Sequence, residues 1–244
     1  MFIELLLAII QAATEFLPVS SSGHLALFSN LISQPDIFFF TVLHIASLFA
    51  VLIFTRKEIK QLFMFKQPYR KMWLYLIIAT IPAVLIGVLF KQVIEQAFSS
   101  YFFLGGAFIF TGFVLFLTKI RWKKGRINSK NALFIGLFQM LALFPGVSRS
   151  GMTISSGLFS GIRREKVVRF SFLLFIPLSI GAIVLESGQA YFNISLLVSF
   201  VVCFVLSLLF LELLMKIVKR GYFWFFAFYC WFIGIISLIL GIFG

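Results

Sequence analysis

Arg149 lies in the run FPGVSRSG, Phe144 to Gly151, whose other members are apolar, hydroxylic or glycine. A guanidinium there is suited to gripping a phosphate, because the Ser148 and Ser150 hydroxyls flank it. Gly146 and Gly151 let backbone N–H groups come close to the same anion. A second set of reactive residues stands near the start of the chain. Gln11 and Glu15 are four positions apart, so on a helix both project from one face, one turn apart, and can hold a divalent cation through oxygen ligands. Pro18 then breaks the helix, and Ser20, Ser21, Ser22, Gly23 and His24 follow in a loop that presents hydroxyls and an imidazole. Together these supply a carboxylate, candidate nucleophiles and a group that ordinarily titrates near neutral pH.

The two sets are related. QAATEFLPVSSSGHL from Gln11 aligns without gaps on QMLALFPGVSRSGMT from Gln139, matching Gln with Gln, Phe16 with Phe144 and Val19 with Val147. Ser20, Ser22 and Gly23 fall on Ser148, Ser150 and Gly151, so the shared residues include the rare polar ones. The chemistry is not duplicated: Glu15, Ser21 and His24 correspond to Leu143, Arg149 and Met152. One copy offers acid, base or metal ligand, and the other a cation.

The elements that must position them belong in a bilayer. The 244 residues are 61% hydrophobic and 12% charged, more apolar surface than a soluble domain of this size can hide. The opening MFIELLLAII carries Glu4 and no basic flank, which predicts a retained segment rather than a cleaved signal. The net charge of +13 sits in short stretches between apolar runs, a membrane-topology pattern rather than a nucleic-acid footprint. Six runs are long enough to cross: about Asp36 to Thr55, Met72 to Phe90, Tyr101 to Thr118, Phe170 to Ser187, Ser195 to Met215 and Tyr222 to Phe243.

Basic clusters at Arg56–Lys71, including Lys66, at Lys119–Lys130, at Arg163–Arg169 and at Lys216–Arg220 thread four loops to the cytoplasm. The neutral loops Val93–Ser100 and Gly188–Asn193 then lie outside. Six spans satisfy that pattern, so the stretches Phe2–Asn30 and Asn131–Gly161 must each return to the side they started from. Both are predicted to be re-entrant helical hairpins lining a site, since irregular backbone at membrane depth needs protein or water around it. The expected fold is one all-α polytopic membrane domain over 1–244, with an inverted-topology repeat of 1–130 and 131–244. Each half is a hairpin followed by three spans. In such folds half-helix N-termini meet near the midplane and face anionic groups.

Other residues are read as structural. Cys203 and Cys230 are isolated in apolar stretches and read as packing residues, the 35 Phe as lipid-facing filler, and His44 as a satisfied core histidine. Glu186 and Glu212 sit near span ends, and Pro82 and Pro177 are expected to kink their helices.

The motifs resemble those of the BacA-type undecaprenyl-pyrophosphate phosphatases. QAATEFLPVSSSGHL is similar to that family's (E/Q)xxxE and PxSSxGH pattern, and FPGVSRSG to its PGxSRSG pattern. The resemblance covers essentially the whole chain. It implies hydrolysis of the terminal phosphate of undecaprenyl pyrophosphate, returning a carrier for cell-wall precursors and conferring bacitracin resistance. It also implies a bacterial plasma membrane, an extracytoplasmic site and Mg²⁺ or Ca²⁺ near Gln11 and Glu15. No nucleic-acid partner is expected, and a homodimer is compatible. By resemblance the motif residues are Gln11, Glu15, Ser21, His24, Ser148 and Arg149, with Gln11 standing where many members carry a second Glu. Attack by Ser21, by His24, or by water activated by His24 all stay open. The rival expectation, from broken helices in an inverted repeat, is a polyprenyl-phosphate or anion transporter.

Overall fold

The computed structural model describes residues 1–31, 37–64, 69–120, 125–185 and 192–243, and every regular element among them is helical. The first half holds α1 (Phe2–Phe16), α2 (Ser21–Leu31), α3 (Ile37–Phe54), α4 (Arg56–Phe63), α5 (Tyr69–Leu89), α6 (Lys91–Ala97) and α7 (Tyr101–Leu117). The second holds α8 (Ser129–Leu141), α9 (Arg149–Phe159), α10 (Arg164–Leu185), α11 (Ile194–Arg220) and α12 (Phe226–Phe243), the last entered through a 3₁₀ turn at Phe223–Phe225. Glu186, Lys66, Arg121, Lys123 and Lys124 lie outside the described residues.

Four helical stretches, Tyr69–Leu89, Arg164–Val184, Ile194–Arg220 and Phe223–Phe243, are long and apolar enough to cross a membrane. The number becomes six if each of two bent pairs, α3 with α4 and α6 with α7, counts as one span. This is a multi-pass membrane protein. Its helix ends follow local chemistry: Ser100, Asn128 and Asn193 each accept a bond from the backbone N–H three residues on. Gly221, at φ 88°, ends α11 in the left-handed conformation. α5 and α10 run on through Pro82 and Pro177 without ending.

Several basic stretches expected as loops are helical. Arg56–Phe63 forms α4, Arg164 to Arg169 opens α10, and α11 continues through Lys216 to Arg220. Lys, Arg and Glu are good helix formers, and the pairs Glu165–Arg169 and Glu212–Lys216, four residues apart, support the turns they sit on. Lys91–Ala97 is likewise a short helix, turning 96° into α7.

Packing between the halves is reciprocal. α1 lies mainly against α11 and α8 against α5, while α3 meets α10 and α7 meets α12. Close approach rests on small residues: a Cβ on Gly136 would lie 2.7 Å from the Ala79 carbonyl, and one on Gly105 would lie 2.9 Å from that of Gly234. Between these helices two broken segments converge, Leu17–Ser20 joining α1 to α2 and Ala142–Ser148 joining α8 to α9.

Candidate active site

Each break is closed by the same device. Ser20 accepts the Gly23 N–H on its Oγ at 3.2 Å, and Ser148 accepts the Gly151 N–H at 3.1 Å, capping α2 and α9. Ser22 and Ser150 each sit 3.3 Å from the capping hydroxyl. The positions that align in sequence thus repeat one geometry. The left-handed step needed to turn the chain falls at different places, at Ser20 (φ 67°) in the first loop and at Gly146 (φ 90°) in the second. For a serine that conformation costs roughly 1 kcal/mol or more, which the bonds at Ser20 must offset.

Those bonds also join the two loops. The Gly146 N–H donates to Ser20 Oγ at 3.1 Å, and Ser150 Oγ donates to the Leu17 carbonyl at 3.3 Å. Gly23 presses on Gly146, where a Cβ would come within 2.7 Å of the opposing Cα. Thr111 of α7 fixes the second loop, with Oγ1 3.0 Å from the Gly146 carbonyl oxygen and accepting the Ser148 N–H at 3.3 Å. Six of the seven residues expected to bind substrate, Ser20, Gly23, Gly146, Ser148, Ser150 and Gly151, are therefore buried in the joint between loops, and Ser22 is half-buried. The Ser21, Ser22, Arg149 and Ser150 amides of the two first turns stand outside the capping bonds.

Beside this joint the polar groups of the two aligned segments meet. Arg149 Nη2 lies 2.8 Å from Glu15 Oε1, joining residues 134 apart in sequence. The other carboxylate oxygen accepts the Ser21 hydroxyl at 2.6 Å and the Gln11 amide at 3.1 Å. Burial explains the crowding, since a carboxylate and a guanidinium removed from water each need a partner. Arg149 also lies 4.1 Å over the Phe175 ring, which fixes its plane while leaving N–H donors unspent. The resulting arrangement pairs a hydroxyl with a carboxylate base and sets a cation beside both.

His24 is placed differently. Its Nδ1 lies 2.8 Å from the Ser20 carbonyl and must donate there, so in the neutral ring the lone pair is on Nε2. Nε2 lies 2.8 Å from the Tyr229 hydroxyl, which then donates to it. His24 shares a face of α2 with Ser21, one turn along, but makes no bond to Glu15 or Arg149.

Sequence reasoning missed several participants. His44, read as a core residue, brings Nε2 to 3.7 Å from Glu15 Oε2. An ionisable side chain inside an apolar span was the available signal. Thr111 was legible only as a lone hydroxyl in a run of Phe, Leu and Gly, and nothing local marked Tyr229 or Phe175 among so many aromatics.

The residues also bear on a cation. Among the described residues there is no group of three His, Cys, Asp or Glu side chains that could hold a metal. Gln11 and Glu15 nonetheless converge, and Gln11 Oε1 is buried without a partner. Rotating that amide by half a turn, which exchanges near-identical atoms, turns Oε1 toward Glu15 Oε2. Two oxygens so placed suit a hard cation that takes its remaining ligands from water and phosphate.

Residues 4–236 match the family described as Bacitracin resistance protein BacA. The chain is 43% identical to the undecaprenyl-diphosphatase of Thermosipho africanus (strain TCF52B), over 98% of this chain and 99% of that protein. It is 38% identical to the undecaprenyl-diphosphatase of Desulforapulum autotrophicum, over 96% of each. A third similar protein, the undecaprenyl-diphosphatase of Methanococcus maripaludis (strain C5), is 39% identical over 93% of this chain and 95% of its own length.

Proposed function

The chain belongs to the BacA family, and from that membership together with its site we propose a membrane phosphatase that hydrolyses undecaprenyl pyrophosphate to undecaprenyl phosphate and inorganic phosphate. The product is the lipid carrier made ready for another round of cell-wall precursor transfer. The observation that carries the reading is the bond of Arg149 to Glu15 with Ser21 on the second carboxylate oxygen. Phosphoryl transfer requires mainly positioning and neutralisation of charge, and these groups provide both.

In this mechanism Ser21 Oγ attacks the terminal phosphorus and its proton passes to Glu15. The bond to the bridging oxygen breaks and undecaprenyl phosphate departs. Water then attacks the phosphoserine, its proton passing through the Tyr229 hydroxyl to His24 Nε2, while Glu15 returns its proton to Ser21 Oγ and inorganic phosphate leaves. The unspent N–H donors of Arg149 and the first-turn amides of α2 and α9 hold the transferred phosphoryl oxygens. Ser21 is favoured over His24 as nucleophile because both His24 nitrogens are already engaged by Ser20 and Tyr229. Mg²⁺ or Ca²⁺, bound through Gln11 and Glu15, would neutralise pyrophosphate charge.

The finer architecture belongs to the same proposal: six spans and two re-entrant hairpins in an inverted repeat of 1–130 and 131–244. It is supported by the matching serine caps and the reciprocal packing of α1 on α11 and α8 on α5. The resemblance to the BacA family implies a bacterial plasma membrane protein with its site open to the extracytoplasmic side, and the distribution of basic residues supports the threading of its spans. Purified protein in detergent with added Mg²⁺ should release phosphate from undecaprenyl pyrophosphate. Absence of release, with the intact lipid carried across proteoliposomes, would contradict the reading.

A further inference from the structure

A cavity of about 470 Å³ opens where the corner between α3 and α4 meets α10 and α11, walled in part by Ile53 and Leu208 and rimmed by Arg56, Lys57, Glu58 and Arg169. It is separate from the site above. Phe54 packs edge-on against Phe172, Phe172 against Phe16 and Phe16 against Phe175, so a buried stack of rings stands between this corner and Arg149.

The charges around the cavity do not balance. Arg169 is bonded to both Glu58 and Glu165, and Lys219 shares Glu165, so each carboxylate nearby is taken. Arg56 and Lys57 are exposed and have no acidic partner among the described residues. α3 and α4 meet at 71°, which makes the start of α4 part of the rim. The residue before α4, Thr55, bonds its hydroxyl back to the Val51 carbonyl at 2.7 Å and leaves the first turn uncapped. Free N–H groups and the helix dipole add to the positive field. Ile53, 42% exposed, gives the cavity an apolar edge at the end of a lipid-contacting helix.

We propose that this cavity binds the phosphate of a lipid, with Arg56, Lys57 and the first amides of α4 holding the headgroup and the chain running along Ile53 and Leu208. The volume suits a phosphate and its first methylenes. Two sources carry that chemistry: bulk anionic phospholipid and a polyprenyl monophosphate.

The test is native mass spectrometry of the purified full chain, titrated separately with phosphatidylglycerol, a polyprenyl monophosphate and inorganic phosphate. The double variant Arg56→Gln/Lys57→Gln should weaken lipid-phosphate binding by roughly tenfold to thirtyfold, as expected for two cations near a lipid phosphate. The variant Arg70→Gln/Lys71→Gln, which removes equal charge from the start of α5, should change it less than about twofold. Phosphate release should be unchanged in both, which confirms their folding. For the polyprenyl phosphate, which the active site also accepts as product, the fraction lost in the first variant is the one read. The tighter-binding lipid identifies the source. Equal loss in both variants would reduce the effect to general surface attraction and overturn the proposal. So would no loss in the first, or inorganic phosphate binding as tightly as either lipid.

Discussion

At the scale of single residues, the site turns on how few acceptors serve many donors. Glu15 receives Arg149, Ser21 and Gln11 on two oxygens, with His44 within 3.7 Å, so its replacement disturbs all four neighbours at once. Glu15→Gln should lower turnover by about a hundredfold or more, since it removes both the base for Ser21 and the anchor of Arg149. Ser21→Ala should do the same while sparing substrate binding. With terminally labelled substrate under single-turnover conditions, wild type should carry acid-stable label on Ser21. Label on His24, or none, would redirect the attack to the imidazole or to water. Tyr229→Phe leaves the ring stack on His24 but removes the hydroxyl donated to Nε2. It should shift the pH profile of kcat more than it lowers KM-dependent binding, and an unchanged profile would remove Tyr229 from proton handling.

At the scale of elements, the proposed site depends on two loops held in backbone contact. Gly146 combines a left-handed conformation with a Cβ position 2.7 Å from Ala107 Cβ and 2.9 Å from the Leu104 carbonyl, neither of which can yield cheaply. Gly146→Ala should destabilise the protein by roughly 2–4 kcal/mol and abolish activity, read by thermal unfolding in detergent. Gly87→Ala is the matched control, because a Cβ there meets only Leu143 at 3.7 Å. Thr111→Val would orphan the Ser148 N–H and the Gly146 carbonyl. A loss of about 1–3 kcal/mol is expected. The recurrence of S-x-S-G was visible in sequence, and its first serine caps the following helix in both places. Their use was not visible. Gly23, Ser20 and Gly146 look like a phosphate cradle in one dimension and become a joint only when the two loops face each other.

At the scale of the whole molecule, the apolar runs located the long helices to within a few residues, except where charge was taken as an end. The run expected over Phe170–Ser187 begins at Arg164, and that over Ser195–Met215 extends to Arg220, because charged residues in good helix-forming context continue the helix past the apolar stretch. His44 was marked only as an ionisable side chain in an apolar span; its partner Glu15 lies on another helix, so no local pattern names the group it meets. The proposed threading has its own test. Cys203 and Cys230 are buried, so a cysteine introduced at exposed Glu95 or Lys57 reports without background. In intact cells a membrane-impermeant maleimide should label Glu95→Cys and not Lys57→Cys, and the reverse labelling would invert the site's orientation.

The proposed site exists only where the two halves touch. The most direct measurement is phosphate release from undecaprenyl pyrophosphate by Arg149→Ala beside wild type, with helix content and thermal unfolding followed on the same samples. A loss of at least about a hundredfold in kcat from a folded variant is predicted, since the second half then contributes no cation to the Glu15 and Ser21 of the first. Turnover near the wild-type rate would contradict it.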